Sequence, residues 1–192
     1  MANLKASGFT LIELLTVVTI MSIMLFLALP NFSVWLHNTQ IRTAGEAILN
    51  GLQLARGEAV RRNVNVELTL DLTDGSSGWT AKIAGVGGEV IQTRLAGEGS
   101  AAAYVSITPI GARTITFTSF GTTIATNADG SNTITELKID SPTLAAADSR
   151  ELCILVRTGG NVRMCDPQVP ATDTRTCIPP LPAPQVVPTG CT

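Results

Sequence analysis

From Leu14 to Leu36 the chain runs for 23 residues without an Asp, Glu, Lys or Arg, and the residue just before that run is a carboxylate, Glu13. As a helix rising about 1.5 Å per residue, the run would be roughly 34 Å long, enough for a bilayer core of about 30 Å. Phe9, Leu11 and Ile12 precede Glu13, so the acid lies inside the apolar block. A charge at the centre of a membrane helix costs about 2.5–3.5 kcal/mol on insertion scales, and less towards the interface. Glu13 therefore needs a partner that neutralises it.

A secretory signal is cut after its apolar region and loses it, at an A-x-A-like site. Here no such site follows the apolar region; a glycine, Gly8, precedes it instead. A plain signal anchor has no use for an acid at its apolar edge. Lys5 and the amine of Met1 flank the helix on one side, which the positive-inside rule places in the cytoplasm. The remainder then lies across the membrane, where an oxidising compartment suits four cysteines that all fall in the last forty residues. The net charge is −2, and −3 without Lys5, so no global basic field draws in nucleic acid.

Gly8-Phe9-Thr10-Leu11-Ile12-Glu13, behind a short leader and ahead of a long apolar helix, resembles the class III signal of type IV pilins and type II secretion pseudopilins. The resemblance implies that a prepilin peptidase cuts between Gly8 and Phe9 and methylates the new amine of Phe9. It further implies that Glu13, then the fifth residue, meets the terminal amine of a neighbouring subunit and sets the assembly register. The chemistry agrees, because an ammonium and a carboxylate sharing a low-dielectric site relieve each other's desolvation.

The helix is expected to start near Thr10 or Leu11 and to continue past Pro30, with a kink where proline cannot donate to the carbonyl of Phe26. Beyond it the pattern becomes amphipathic: Ile41, Ala44, Ile48, Leu52, Ala55 and Ala59 recur at spacings of three and four, and Arg42, Glu46, Asn50, Gln53 and Arg61 lie elsewhere. The segment Leu52 to Asn63, LQLARGEAVRRN, is similar to the helix end of the GspH/FimT-like (FimT/FimU) minor pilins and pseudopilins, which leads into a first strand.

After Asn63 the period is two. VNVELTL alternates apolar and polar residues, and strand candidates follow at Trp79 to Ala84, Glu89 to Arg94, Tyr104 to Thr108, Arg113 to Thr118, Thr122 to Thr126, Ile134 to Ile139, Glu151 to Arg157 and Val162 to Cys165. From Asp166 onward the chain reads as loop, with seven of the ten prolines between Pro167 and Pro188. The fold class is α+β and pilin-like: a long N-terminal helix whose apolar half is transmembrane and whose amphipathic half packs on an antiparallel β-sheet domain.

A three-residue loop at Thr158-Gly159-Gly160 would place Cys153 opposite Cys165, near enough for a cross-strand bridge. Cys177 and Cys191 would then close the tail, much as pilins close a C-terminal disulfide loop; four cysteines allow three connectivities. No CxxC pair or nearby histidine supports zinc, and no metal or cofactor is expected. Some FimT-like pilins bind DNA through a C-terminal Gly-Arg-x-Arg motif. Gly160-Asn161-Val162-Arg163 stands at the matching place and lacks one arginine, which leaves Arg150, Arg157 and Arg163 as a possible small basic cluster, with Arg157 and Arg163 as the candidate DNA contacts.

The oxygens of Asn127-Ala-Asp-Gly-Ser-Asn132 suggest a calcium loop, but an Asp-Gly turn explains them without metal. Gly85-Val-Gly-Gly88 reads as a hairpin turn, because EVIQT after it favours a strand over a helix start. The only histidine, His37, has no nucleophile at catalytic spacing, and no enzyme is expected. Trp35 suits an interfacial anchor, and Trp79 core or turn packing.

The organisation expected is a leader at 1–8, a transmembrane or filament-core helix at 9–36, its amphipathic half at 37–63, an antiparallel β domain at 64–165 and a proline-rich, disulfide-closed tail at 166–192. The function expected is that of a minor pilin that primes or enters a type IV pilus. The alternatives are a DNA-binding pilin for natural transformation and a minor pseudopilin of a type II secretion system. Its partners would be other pilins or pseudopilins through the helix, the prepilin peptidase and the inner membrane. Before assembly the chain would cross the inner membrane once, with its C-terminal domain in the periplasm, and afterwards stand in a surface filament.

Overall fold

The computed structural model describes residues 9–71, 76–177 and 191, leaving aside the side chains of 28–30. The described residues divide into two compact units, one up to residue 36 and one from residue 37. One helix, α1 (Leu11–Arg62), runs through both. Among the described residues no single helix is long and apolar enough to cross a membrane; Leu11–Leu27 and Asn31–Arg62, taken as a pair, are so by length and composition. The kink expected at Pro30 falls on 28–30, whose side chains lie outside the described residues.

In the first unit, the hydroxyls of Thr16, Thr19 and Ser22 donate to the carbonyls of Glu13, Thr16 and Val18 at 2.8–2.9 Å. Back-bonded in this way, these three hydroxyls are satisfied within the helix itself.

In the second unit, Ile41, Ala44, Ile48, Leu52, Ala55 and Ala59 are fully buried, the same stripe that the spacing of three and four marks. α1 stops at Asn63, whose φ of 55° is the left-handed conformation that asparagine tolerates. The Val64 N–H then donates to the Ala59 carbonyl at 3.2 Å, and the Asn63 N–H to that of Val60 at 3.3 Å. This pair is the Schellman closure, and it turns the chain into the first strand.

Among the described residues the strands are β1 (Val66–Asp71), β2 (Gly78–Ile83), β3 (Val90–Arg94), β4 (Tyr104–Thr108), β5 (Thr114–Phe117), β6 (Glu136–Asp140), β7 (Leu152–Val156) and β8 (Val162–Cys165). They form two four-stranded antiparallel sheets, ordered β3-β2-β1-β5 and β4-β6-β7-β8. Alternation sets the faces: Val66, Leu68 and Leu70 oppose Ile83, Ala81 and Trp79, while Glu67 on the other face pairs with Lys82 at 2.8 Å. Val105, Leu137, Ile139, Ile154 and Val156 of the second sheet join the helix stripe and the first sheet in one core. The opposite face of β7 and β8 carries a separate buried cluster, Cys153, Leu155, Cys165, Cys177 and Cys191.

Two expectations need correction. Thr122 to Thr126 is no strand: Thr123 makes one isolated bridge to Phe117, and the segment folds over β5, burying both of that strand's faces. The disulfides are Cys153–Cys191 and Cys165–Cys177, not Cys153–Cys165 and Cys177–Cys191. Cys153 and Cys165 do oppose each other across the hairpin. Side chains of directly opposed residues stand off the sheet side by side, so each is aimed at whatever covers that face. The chain after β8 doubles back, with the Asp166 N–H donating to the Arg175 carbonyl at 2.8 Å, and brings Cys177 within 4.8 Å of Cys165 between Cα atoms. Cys191 completes the cover 6.2 Å from Cys153.

Candidate functional site

Of the processing residues, Gly8 lies outside the described ones, and Phe9 is 84% exposed where the described chain begins. Thr10 caps α1. Its hydroxyl accepts from the Glu13 N–H at 3.3 Å, and its carbonyl accepts the Leu14 N–H at 3.2 Å. Thr10 and Glu13 thus have the spacing of a capping box, Thr-x-x-Glu, which places the carboxylate at the positive end of the helix dipole. The sequence reading passed over this second role of Glu13, although the four-residue pattern is legible. Around it Leu11, Ile12, Leu14 and Leu15 are all more than half exposed, so the acid is set in an open apolar surface.

The hairpin arginines have different surroundings. Arg157 is exposed at the turn into residues 158–160. Arg163 is half-buried, and its guanidinium donates to the carbonyls of Thr174 and Thr176 at 2.9 Å each. It fastens the loop that carries Cys177. Arg150 is exposed, and its backbone N–H donates to Asn38 Oδ1, while Asn38 Nδ2 donates to the Asp148 carbonyl, so that segment is clamped to α1.

The calcium candidate is spent internally. Asn127 is buried: its Oδ1 accepts from Thr116 Oγ1 at 2.8 Å, and its Nδ2 donates to the Thr114 and Asn132 carbonyls and to Ser131 Oγ. Asp129 Oδ1 accepts from both the N–H and the hydroxyl of Ser131, which holds its carboxyl below the usual range. His37 Nδ1 lies 3.5 Å from Ser141 Oγ and 3.4 Å from Thr143 Oγ1, beyond normal hydrogen-bond lengths.

One acid that the sequence did not single out is Glu136 on β6. It is 4% exposed, and its Oε1 has no hydrogen-bond partner among the described residues. Burial pushes its pKa up, against the opposing charges of Arg157 and Lys138. A carboxylate oxygen lies within 4.8 Å of the sulfurs of Cys153 and Cys191, but those sulfurs are bridged to each other and offer no thiolate to a metal.

Comparison with known proteins bears on both units. The family described as type II transport protein GspH matches residues 44–168, and the prokaryotic N-terminal methylation motif matches residues 3–29. No curated protein matches the chain. Among solved structures, two crystal forms of the type IV minor pilin FimU of Pseudomonas aeruginosa are each 19% identical. They cover 67% and 66% of this chain and 92% and 97% of their own, with TM-scores of 0.46 and 0.45. The minor pseudopilin EpsH of the Vibrio cholerae type 2 secretion system is 12% identical over 68% of this chain and 99% of its own, with a TM-score of 0.46.

Proposed function

Because this chain belongs to the family of type II transport protein GspH, whose members are structural pilins and pseudopilins, we propose that it is a minor pilin that primes a type IV pilus or is built into one. The observation that carries the proposal is Glu13, an acid in the first turn of a helix that continues with no further charge to Leu36, four positions after Phe9. Cleavage between Gly8 and Phe9 gives an amine, methylated on Phe9, at the end of that helix. In the inner membrane the helix stores the subunit with its β domain in the periplasm. Extraction then exchanges lipid contacts for contacts between helices. Glu13 pairs with the amine of an adjacent Phe9, and the pair relieves two desolvated charges at one register only.

The test is Glu13→Ala in the full chain. Membrane insertion stays intact and incorporation into the filament or its priming complex drops; undiminished incorporation defeats the register role. Mass spectrometry of the protein from its native envelope reads cleavage after Gly8 and methylation of Phe9 in the same preparation.

The family's own description favours a second reading, a minor pseudopilin of a type II secretion system. Deleting the chain separates the two, through loss of surface pili in one case and loss of protein export with pili intact in the other.

A further inference from the structure

The place of Glu136 on β6 is set by register. It stands opposite Leu155 on β7, and Lys138, two positions on, stands opposite Cys153, so all four side chains rise from one face of the sheet. On that face Cys153 is fully buried and Cys191 is bridged to it. A carboxylate oxygen of Glu136 lies within 4.8 Å of both sulfurs, and its Oε1 has no hydrogen-bond partner among the described residues. An acid left so is a liability to the fold.

The cations around it do not compensate. Lys138 Nζ pairs with Glu151 at 2.6 Å, Arg163 gives its guanidinium to the carbonyls of Thr174 and Thr176, and Arg157 is exposed at the turn. A thiol attacks a disulfide as the thiolate, and at an ordinary pKa of about 8.5 only a few per cent is ionised at pH 7. Burial in apolar surroundings lowers that fraction further. Cys153 has no exposed surface from which water could take its proton, and Lys138, Arg157 and Arg163 are cations that cannot accept it. Glu136 can, and burial pushes its pKa up towards that of a thiol, which makes its ionised form the stronger base.

We propose that Glu136 is the proton acceptor through which Cys153 closes its bridge to Cys191. The co-reactant is an exogenous disulfide. Cys191 attacks it first, which forms a mixed disulfide and releases one thiolate. Cys153 then gives its proton to the Glu136 carboxylate, and its sulfur attacks Cys191 Sγ. The Cys153–Cys191 bond forms, the bond from Cys191 to the co-reactant breaks, and the second thiolate leaves and takes up the proton. Two thiols of the chain are oxidised and one disulfide of the co-reactant is reduced. The roles follow from the fold: Cys153 is held in β7 between β6 and β8, so its distance to Glu136 does not depend on the bridge, whereas Cys191 comes from outside the sheet. No acid among the described residues gathers with Cys165 and Cys177 in this way, which makes the second bridge an internal control.

The experiment gives oxidised glutathione to the full chain, reduced in detergent and freed of reductant. Free thiols are trapped by alkylation at intervals, and mass spectrometry follows the closing of each bridge. With Glu136→Gln the 153–191 bridge closes about tenfold more slowly at pH 7, while the 165–177 bridge keeps its rate. The two proteins converge at about pH 9.5, where the thiol ionises without help. Glu136→Asp, which keeps an acid, lies between them. The glutamine variant is also the more thermally stable protein at pH 7, so its slower closing is not a damaged fold. Equal rates at pH 7 overturn the proposal. A deficit that persists at high pH, or extends to the 165–177 bridge, overturns it too, because either marks altered packing rather than proton transfer. Loss of the β-sheet circular dichroism on reduction has the same force, since Glu136 is then not held beside Cys153.

Discussion

The indole of Trp79 on β2 lies so close to Gly51 of α1 that a Cβ there would stand 2.7 Å from its Cε2 and 2.9 Å from its Cζ2. Trp79 is 4% exposed, and Ala55 and Leu52 beside Gly51 are fully buried. A large aromatic on the sheet and a missing side chain on the helix are thus two halves of one contact.

Gly51→Ala should therefore destabilise the protein, although alanine is the better helix former. Overpacking a filled core typically costs about 1–3 kcal/mol, against a propensity gain of about 1 kcal/mol. Urea unfolding of the purified protein checks the sign. A gain in stability would mean that Trp79 moves aside freely.

Asn127→Ala should cost about 2–3 kcal/mol, because removing one buried amide leaves Thr116 Oγ1 and the Thr114 carbonyl without that partner. The same geometry predicts that calcium and chelators leave the unfolding temperature of the wild type unchanged, since Asp129 is already committed to Ser131. A calcium-dependent rise in that temperature would sink this account of the loop.

Local pattern carried much of the architecture. The stripe Ile41 to Ala59 and the alternation of Val66, Leu68 and Leu70 are consequences of period, and the structure buries those residues. Asn63, in a left-handed backbone, closes the helix where the LARGEAVRRN segment ends, the place the resemblance implies. What sequence did not reveal depends on contacts between distant segments. Thr122 to Thr126 has strand composition, but its backbone partners are scattered over β5 and the residue after it, the turn at Thr158, and Asn132 and Thr133. The disulfide partners of Cys153 and Cys165 were decided by which chain covers the outer face of β7 and β8, and nothing local to the hairpin encodes that. The anchoring of Arg163 is hidden in the sequence for the same reason, because its carbonyl partners lie eleven and thirteen residues away.

Arg163→Ala is expected to free the loop bearing Cys177 and to lower stability by about 1–3 kcal/mol, since two charge-assisted hydrogen bonds are lost. Non-reducing digestion of the wild type should give peptides linked 153 to 191 and 165 to 177. In the variant, scrambled pairs should appear when the protein is refolded from the reduced state. A gel shift with duplex DNA that the same substitution abolishes, with stability unaltered, would instead assign Arg163 to phosphate contact.

Glu136 gives a pH signature opposite in sign to that of the surface acids. Glu58 and Asp173 are held at about 2 by hydrogen bonds from Arg61 and Arg62, and from Arg175. Their contribution is present above the ordinary carboxylate value of 4.5 for Glu58 or 3.8 for Asp173 and is lost as pH falls towards 2. Both are open to solvent, so the effect is small. The pKa of Glu136 is raised by burial, so its neutral form is the one the fold tolerates. That tolerance is complete below the unfolded value of 4.5 and is lost as pH rises through the folded value. Lys138 and Arg157 oppose the shift without cancelling it. Glu136→Gln keeps the shape and removes the titration. The variant should match the wild type near pH 4 and become more stable than it as pH rises above 4.5, until the folded value is passed. Unfolding temperatures of the two proteins across that range decide the matter, and parallel curves would mean that water or a cation reaches the carboxylate beneath the Cys153–Cys191 bridge.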